Sequence, residues 1–203
     1  MTNGADSAII QEQVISKPQV HVLYPRVQGL WDKRIQEKIN LVIERKVNDL
    51  ILIQGGQKDL QELRGNYEVT LNQMGLLSLR FEMFAQIRMA AHPSTMIDSL
   101  TVDLNTGQEY ELYHLFRNMS AHALVITNFL LKQIEREQIP LIVDLKLIPD
   151  NHPYYLTGEA LVVYFQEAEL APRSYGILEF PVAYNYVKSI IDPAGPLRQM
   201  VET

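Results

Sequence analysis

An α+β fold is predicted for this chain, with antiparallel sheet packed against two main helices in two closely associated halves. The prediction rests on two stretches of three-and-four apolar spacing, several stretches of strict alternation, and the absence of any internal repeat. The first helix is expected over residues 30–53, where Trp31, Ile35, Ile39, Val42, Ile43, Val47, Leu50 and Ile51 share one face of a 3.6-residue period. Its other face, with Lys33, Glu37, Lys38, Glu44, Arg45 and Asp49, reads as solvated. A second helix is expected over 120–138 on Leu124, Val125, Thr127, Asn128, Leu131 and Ile134, stopped by Pro140. Strands are expected at 20–24, where Pro25 disfavours helix at the residue before it, and at 67–71, 77–87, 100–104 and 110–112. Turns at 72–75 and 105–107 join them, and 54–66, around Gly55 and Gly56, is expected as a loop or a frayed extension of the helix. In the last third, Leu161, Val163 and Phe165, then Ile177, Leu178, Phe180 and Val182, read as strands on either side of an elbow at 167–176. A short helix is expected at 184–191. The division is a flexible tail at 1–18, a first half at 19–117, a second half at 118–191 and a tail at 192–203.

Composition narrows the function. A chain of 203 residues, 47% of them hydrophobic, buries a core without staples, and it contains no cysteine for disulfides, thiolate zinc sites or thiol catalysis. A formal charge of −6 offers no clustered cations for a phosphate backbone, so nucleic acid is not an expected partner. The first 17 residues hold Asp6 and Glu12 but no basic region and no long apolar run. They read as neither signal peptide nor membrane span, and the chain as written reads as cytoplasmic, without membrane insertion.

Candidate chemistry is sparse. His92, within Ala91-His92-Pro93, brings an imidazole, a side-chain type suited to a general base or ligand, but no spacing fixes Ser94, Thr95 or Asp98 as its partners. A hydrogen-bonded turn histidine answers the same observation. His21, His114, His122 and His152 lack the i,i+4 pairing of a helical zinc site, so neither metal nor cofactor is expected. Glu159, Glu167, Glu169 and Glu179 are numerous enough for paired-carboxylate hydrolysis, which needs a set separation that sequence does not give, and solvated glutamates explain them more simply. Tyr154, Tyr155, Tyr164, Tyr175, Tyr184 and Tyr186 surround the elbow, where tyrosine serves core packing and recognition alike.

Several short motifs occur in order: Tyr24-Pro25 through Gly29, Ile39-Asn40, the run 76–82, Ala91-His92-Pro93, Asp103-Leu104 through Gly107, and Leu115-Phe116. They are followed by Tyr155-Leu156-Thr157, Val162-Val163-Tyr164-Phe165 and Glu169-Leu170-Ala171-Pro172 through Gly176. From Val20 to Ile190 this pattern resembles the RsiV-like bacterial domain family, whose first half also accompanies the peptidoglycan deacetylase PdaC. The resemblance implies an α+β domain pair on the outer side of the membrane of Gram-positive bacteria, which in the anti-sigma factor binds lysozyme directly and is not itself the catalyst. These residues include no membrane-spanning or sigma-binding segment and no deacetylase domain, so signalling through a sigma factor is not expected to carry over; the chain as written is expected in the cytoplasm, and outside it if an N-terminal anchor was omitted. It also carries Arg173 where the family often has tyrosine, with Tyr175 displaced toward the glycine.

The sequence therefore favours a noncatalytic binding or sensor domain with Pro172, Arg173, Tyr175 and Gly176 as its contact surface, and lysozyme or a cell-wall component as partner. The alternatives are a cell-wall hydrolase or deacetylase-associated module centred on His92, and a structural domain that self-associates through a sheet edge or apolar patch.

Overall fold

The computed structural model describes residues 5–56, 59–117 and 119–201. They form a mixed α+β structure of eight strands in two mostly antiparallel sheets and three α-helices, two of them long. The chain divides into two compact units, Met1–Glu109 and Tyr110–Thr203. The division precedes the expected boundary after residue 117 because Leu115 to Arg117 are tied downstream. The Asp192 amide donates to the Leu115 carbonyl at 3.2 Å, the Arg117 amide to Ile190 at 3.1 Å, and the Arg117 guanidinium to the Ile191 carbonyl.

The first unit contains β1 (Ile9–Lys17), β2 (Val20–Gln28), α1 (Lys33–Gly55), β3 (Leu60–Gln73), β4 (Leu76–Ile87) and β5 (Ser94–Asp103), its sheet running β1-β2-β3-β4-β5. The expected flexible tail at 1–18, of which 1–4 lie outside the described residues, is thus corrected over 9–17: β1 pairs antiparallel with β2 along its whole length. Its polar residues mark an edge strand, exposed along most of its length, and carry little of the apolar alternation that signals a half-buried strand. The expected loop at 54–66 is also shorter, since β3 begins at Leu60, and β5 begins at Ser94, ahead of the apolar triplet that signalled it. In place of a strand at 110–112, a single bridge joins Val102 to Glu109, and Leu112–Leu115 forms one turn of 3-10 helix.

The pairing of β2 with β3 is parallel and short, Val20 to Val22 against Leu63 to Gly65. A Cβ on Gly65 would lie 2.6 Å from both Met83 Sδ and Val22 Cγ1, so only glycine allows this close approach. Beyond Val22, β2 pairs with no described strand on its inner edge, and Pro25, which lacks an N–H, sits in that unpaired stretch. Val27 is different because it is fully buried and its amide and carbonyl need partners. Asn40 of α1 supplies both: its Oδ1 accepts from the Val27 amide at 2.7 Å and its Nδ2 donates to the Val27 carbonyl at 3.1 Å. A side-chain amide thereby takes the place of a strand. Gln36 accepts from the Leu30 amide one turn earlier, and Arg26 reaches Glu37 and Glu44 at 3.0 Å each. Those ion pairs are half-exposed and contribute at most about 1 kcal/mol each.

Helix α1 starts on Asp32, whose carboxylate accepts from the Arg34 amide at 2.8 Å. The Arg34 side chain and amide, both bonded to Asp32, hold its carboxyl below the usual range. Ile39, Ile43, Val47 and Leu50 of α1 join Val22, Val27, Leu63, Leu79, Phe81, Met83 and Leu100 in one core. Trp31, counted into that face by spacing, lies outside the helix and is 94% exposed.

The second unit contains α2 (Met119–Glu137), β6 (Tyr154–Leu156), β7 (Ala160–Phe165), β8 (Leu178–Ala183) and α3 (Tyr184–Val187), with sheet order β6-β7-β8. All six residues of β7 are buried. The core face of α2 is formed by Ala123, Ile126, Thr127, Leu130 and Ile134, while Leu124, Asn128 and Leu131 are exposed. The expected face is rotated because its apolar residues outnumber what one stripe holds. The tail at 192–203 is anchored as far as Val201: Leu197 is fully buried and Lys188 Nζ donates to the Val201 carbonyl at 2.8 Å.

Replacing Asn40 by alanine leaves two backbone groups of Val27 buried and unpaired, and each such group costs about 1–3 kcal/mol. Urea denaturation should show Asn40→Ala losing about 2–4 kcal/mol. A loss no larger than that of an exposed control such as Asn48→Ala would contradict the role assigned to Asn40.

Candidate functional site

The elbow lies between β7, which is buried throughout, and β8, which buries only Phe180 and Val182. Leaving β7, the chain turns at Ala168, φ 58°, where the Glu169 carboxylate accepts from the Gln166 amide at 2.6 Å and closes the turn on itself. Leu170 and Ala171 are buried, and the Leu170 carbonyl accepts from the Ile142 amide at 3.0 Å. Pro172 then opens one 3-10 turn, Arg173–Tyr175, with the Tyr175 amide donating to Pro172 and the Gly176 amide to Arg173, both at 2.9 Å.

Gly176 ends the turn at φ 66°, ψ −149°, a region that residues with a Cβ essentially do not occupy. A Cβ there would meet nothing within 4 Å, so its requirement for glycine is conformational and owes nothing to crowding. Arg173 and Tyr175 are left exposed, Tyr175 by 46%. The Arg173 guanidinium pairs with Glu167 at 2.9 Å across the elbow. Glu179, on the adjoining strand, accepts from the Tyr155 hydroxyl at 3.1 Å.

The other tyrosines divide by role. Tyr154, Tyr164 and Tyr184 are buried, with Tyr154 donating to the Tyr110 carbonyl at 2.8 Å and Tyr184 to the Thr157 carbonyl at 2.7 Å. Burial pushes the Tyr184 phenol well above its usual range. Tyr186 is exposed and meets Phe129 edge-on at 4.9 Å.

His92 lies in the exposed connection between β4 and β5, and no hydrogen bond joins it to another described residue. Its nearest candidate partners are engaged elsewhere, Ser94 with Gln54 at 2.9 Å and Asp98 with Lys46 at 3.1 Å. Among the described residues no three His, Asp or Glu side chains gather closely enough to hold a metal ion. His122 is buried, stacked on Phe116 at 5.1 Å and 3.5 Å from the Asp150 carboxylate. His152 is buried beside Phe165, and because a carbonyl only accepts, its Nε2–H donates to the Tyr164 carbonyl at 3.0 Å. Burial lowers its pKa to about 4.

One part of the surface was not foreseen. The irregular segment after Pro140 exposes Leu141, Ile142, Val143 and Leu147, and its Ile142 amide ties it to the elbow. The unbroken run Leu-Ile-Val without alternation was the available signal.

Taken by fold, this is a two-unit α+β module whose second unit presents an exposed turn between the buried strand β7 and the half-buried strand β8. Residues 114–185, within the second unit, match the family model described as protein of unknown function, DUF3298. Two solved structures share the fold. A DUF3298 family member from Bacteroides fragilis aligns with a TM-score of 0.69 at 12% identity, covering 99% of this chain and 100% of its own. A DUF3298 family protein from Pseudomonas aeruginosa aligns with a TM-score of 0.58 at 14% identity, covering 92% and 93%. No curated protein matches the chain. No helix among the described residues is long and apolar enough to cross a membrane.

Two outcomes follow from this geometry. Gly176→Ala should cost about 1–3 kcal/mol by urea denaturation. Gly158→Ala, also in open space but without positive φ, should be close to neutral; equal losses would remove the conformational argument. For His152, the unfolded chain binds its proton near pH 6.5 and the folded chain only near pH 4. Its stabilisation is complete above pH 6.5, falls by on the order of 3 kcal/mol as pH drops to about 4, and levels off below. His152→Gln should flatten this part of the pH profile relative to the unsubstituted chain, and parallel profiles would refute the assignment.

Proposed function

We propose that this protein is a noncatalytic binding domain of the sensor kind, with residues 172–176 as its contact surface. The observation that carries the reading is the exposure of Arg173 and Tyr175 on one short turn that Gly176 closes between the buried β7 and the half-buried β8. A preformed turn loses little entropy on binding, and tyrosine and arginine are the side chains that most often anchor interfaces. The exposed apolar residues at 141–143 extend the surface through the Ile142 bond to Leu170.

The charge around the elbow suits a basic partner. Glu167, Glu169 and Glu179 outnumber Arg173, itself paired with Glu167, and the whole chain carries −6. Together with the resemblance to RsiV-like domains, this favours lysozyme, basic in many forms, as the partner outside the cell, and a cell-wall fragment as the alternative ligand. Arg173 gives the contact a guanidinium where those relatives often offer a phenol, and the two do not recognise the same groups.

Calorimetric titration of the full chain with lysozyme, and separately with muropeptides, tests this. Binding that weakens with added salt and drops about tenfold or more in Tyr175→Ala is expected, since an anchor residue contributes more than about 1 kcal/mol. No heat with either ligand at concentrations well above ~100 µM would sink it.

A further inference from the structure

The sheet of the first unit ends in β1, and its outer edge is less blunted than the other sheet edges. β6 is only three residues long, β8 carries Pro181, and the outer edge of β5 is bridged to Glu109. β1 has nine residues, no proline and only Glu12 and Lys17 as charges. Which of its residues face outward follows from three observations. Val27 turns its backbone away from β1 to Asn40, Pro25 lies opposite Glu12, and the Glu12 carbonyl accepts from the Gln13 side chain, at 2.8 Å, rather than from β2. Residues opposite Val27, Pro25, Leu23 and His21 therefore face outward, namely Ile10, Glu12, Val14 and Ser16.

From this edge we infer that two copies of the chain associate by antiparallel pairing of β1 with β1, with Val14 on the two-fold axis. That register pairs outward residues with outward residues, as hydrogen bonding requires. Val14, 54% exposed in the single chain, meets its copy, Glu12 meets Ser16 of the second copy, and Lys17 meets Gln11. No like charges oppose each other. The contact is self-complementary, as a two-fold interface must be.

The absence of cysteine makes the test direct. Hydrogen-bonded antiparallel partners have Cα atoms about 5.5 Å apart, inside the roughly 4.4–6.8 Å that a disulfide spans. Val14→Cys, oxidised mildly, should give a disulfide-linked dimer, while Ser16→Cys, whose two copies would lie about 14 Å apart along the strand, should cross-link about tenfold more slowly because its thiols meet only by collision. In sedimentation from about 10 µM to about 1 mM, a range that brackets weak reversible association, the unsubstituted chain should dimerise and Val14→Pro, which removes an outward N–H, should stay monomeric. A monomer throughout, equal cross-linking at positions 14 and 16, or a dimer indifferent to Val14→Pro would each overturn the inference. None of these outcomes depends on the elbow.

Discussion

The buried pairing of Asn40 with the backbone of Val27 is the constraint on which the first unit depends. A sheet that carries β2 past the end of its partner leaves an inner edge with unsatisfied backbone groups, and burying those groups without partners is costly. One helical side chain, presenting an acceptor and a donor in the plane of an amide, closes that edge and fixes α1 against the sheet in register and in height. The packing of Ile39, Ile43, Val47 and Leu50 follows from that placement. A leucine at position 40 would keep the apolar stripe and lose the register.

The same reasoning gives physical content to most of the short motifs. Thr157 closes the β6–β7 turn, its hydroxyl accepting from the Ala160 amide at 3.0 Å. Asp103 holds the turn to Gly107 by accepting from the Asn105 and Thr106 amides at 2.7 and 2.9 Å. The run at 162–165 is the doubly buried centre of the second sheet. These motifs specify architecture.

What was legible in the sequence was periodic. Helix α1 and the β3–β4 hairpin each bury one stripe or face, and burial writes a period into the residues, while β7, buried on both faces, shows itself as an unbroken apolar run. The β1 strand and the segment after Pro140 bury little and write none, and the 3-10 turn at Leu112–Leu115, which buries both its leucines, is too short to show a period. The core face of α2 failed for the opposite reason, since apolar residues on both sides of the helix leave the buried one undetermined by spacing. At the elbow the turn was readable from Pro172 and Gly176, because both restrict the backbone. The ion pair of Arg173 with Glu167 was not, since it depends on how far the chain folds back over six residues. His92 shows the converse: a residue type suited to chemistry, placed where no described partner reaches it.

Trp31 has a consequence for how this molecule is observed. It is the only tryptophan in the chain, and its indole stands in water in the folded state. Its fluorescence therefore starts close to the colour an unfolded chain emits, and loss of either core leaves it nearly unchanged. The intrinsic reporter on which most folding work relies is blind here, while the same indole, beside the cap of α1, registers anything that settles on that corner.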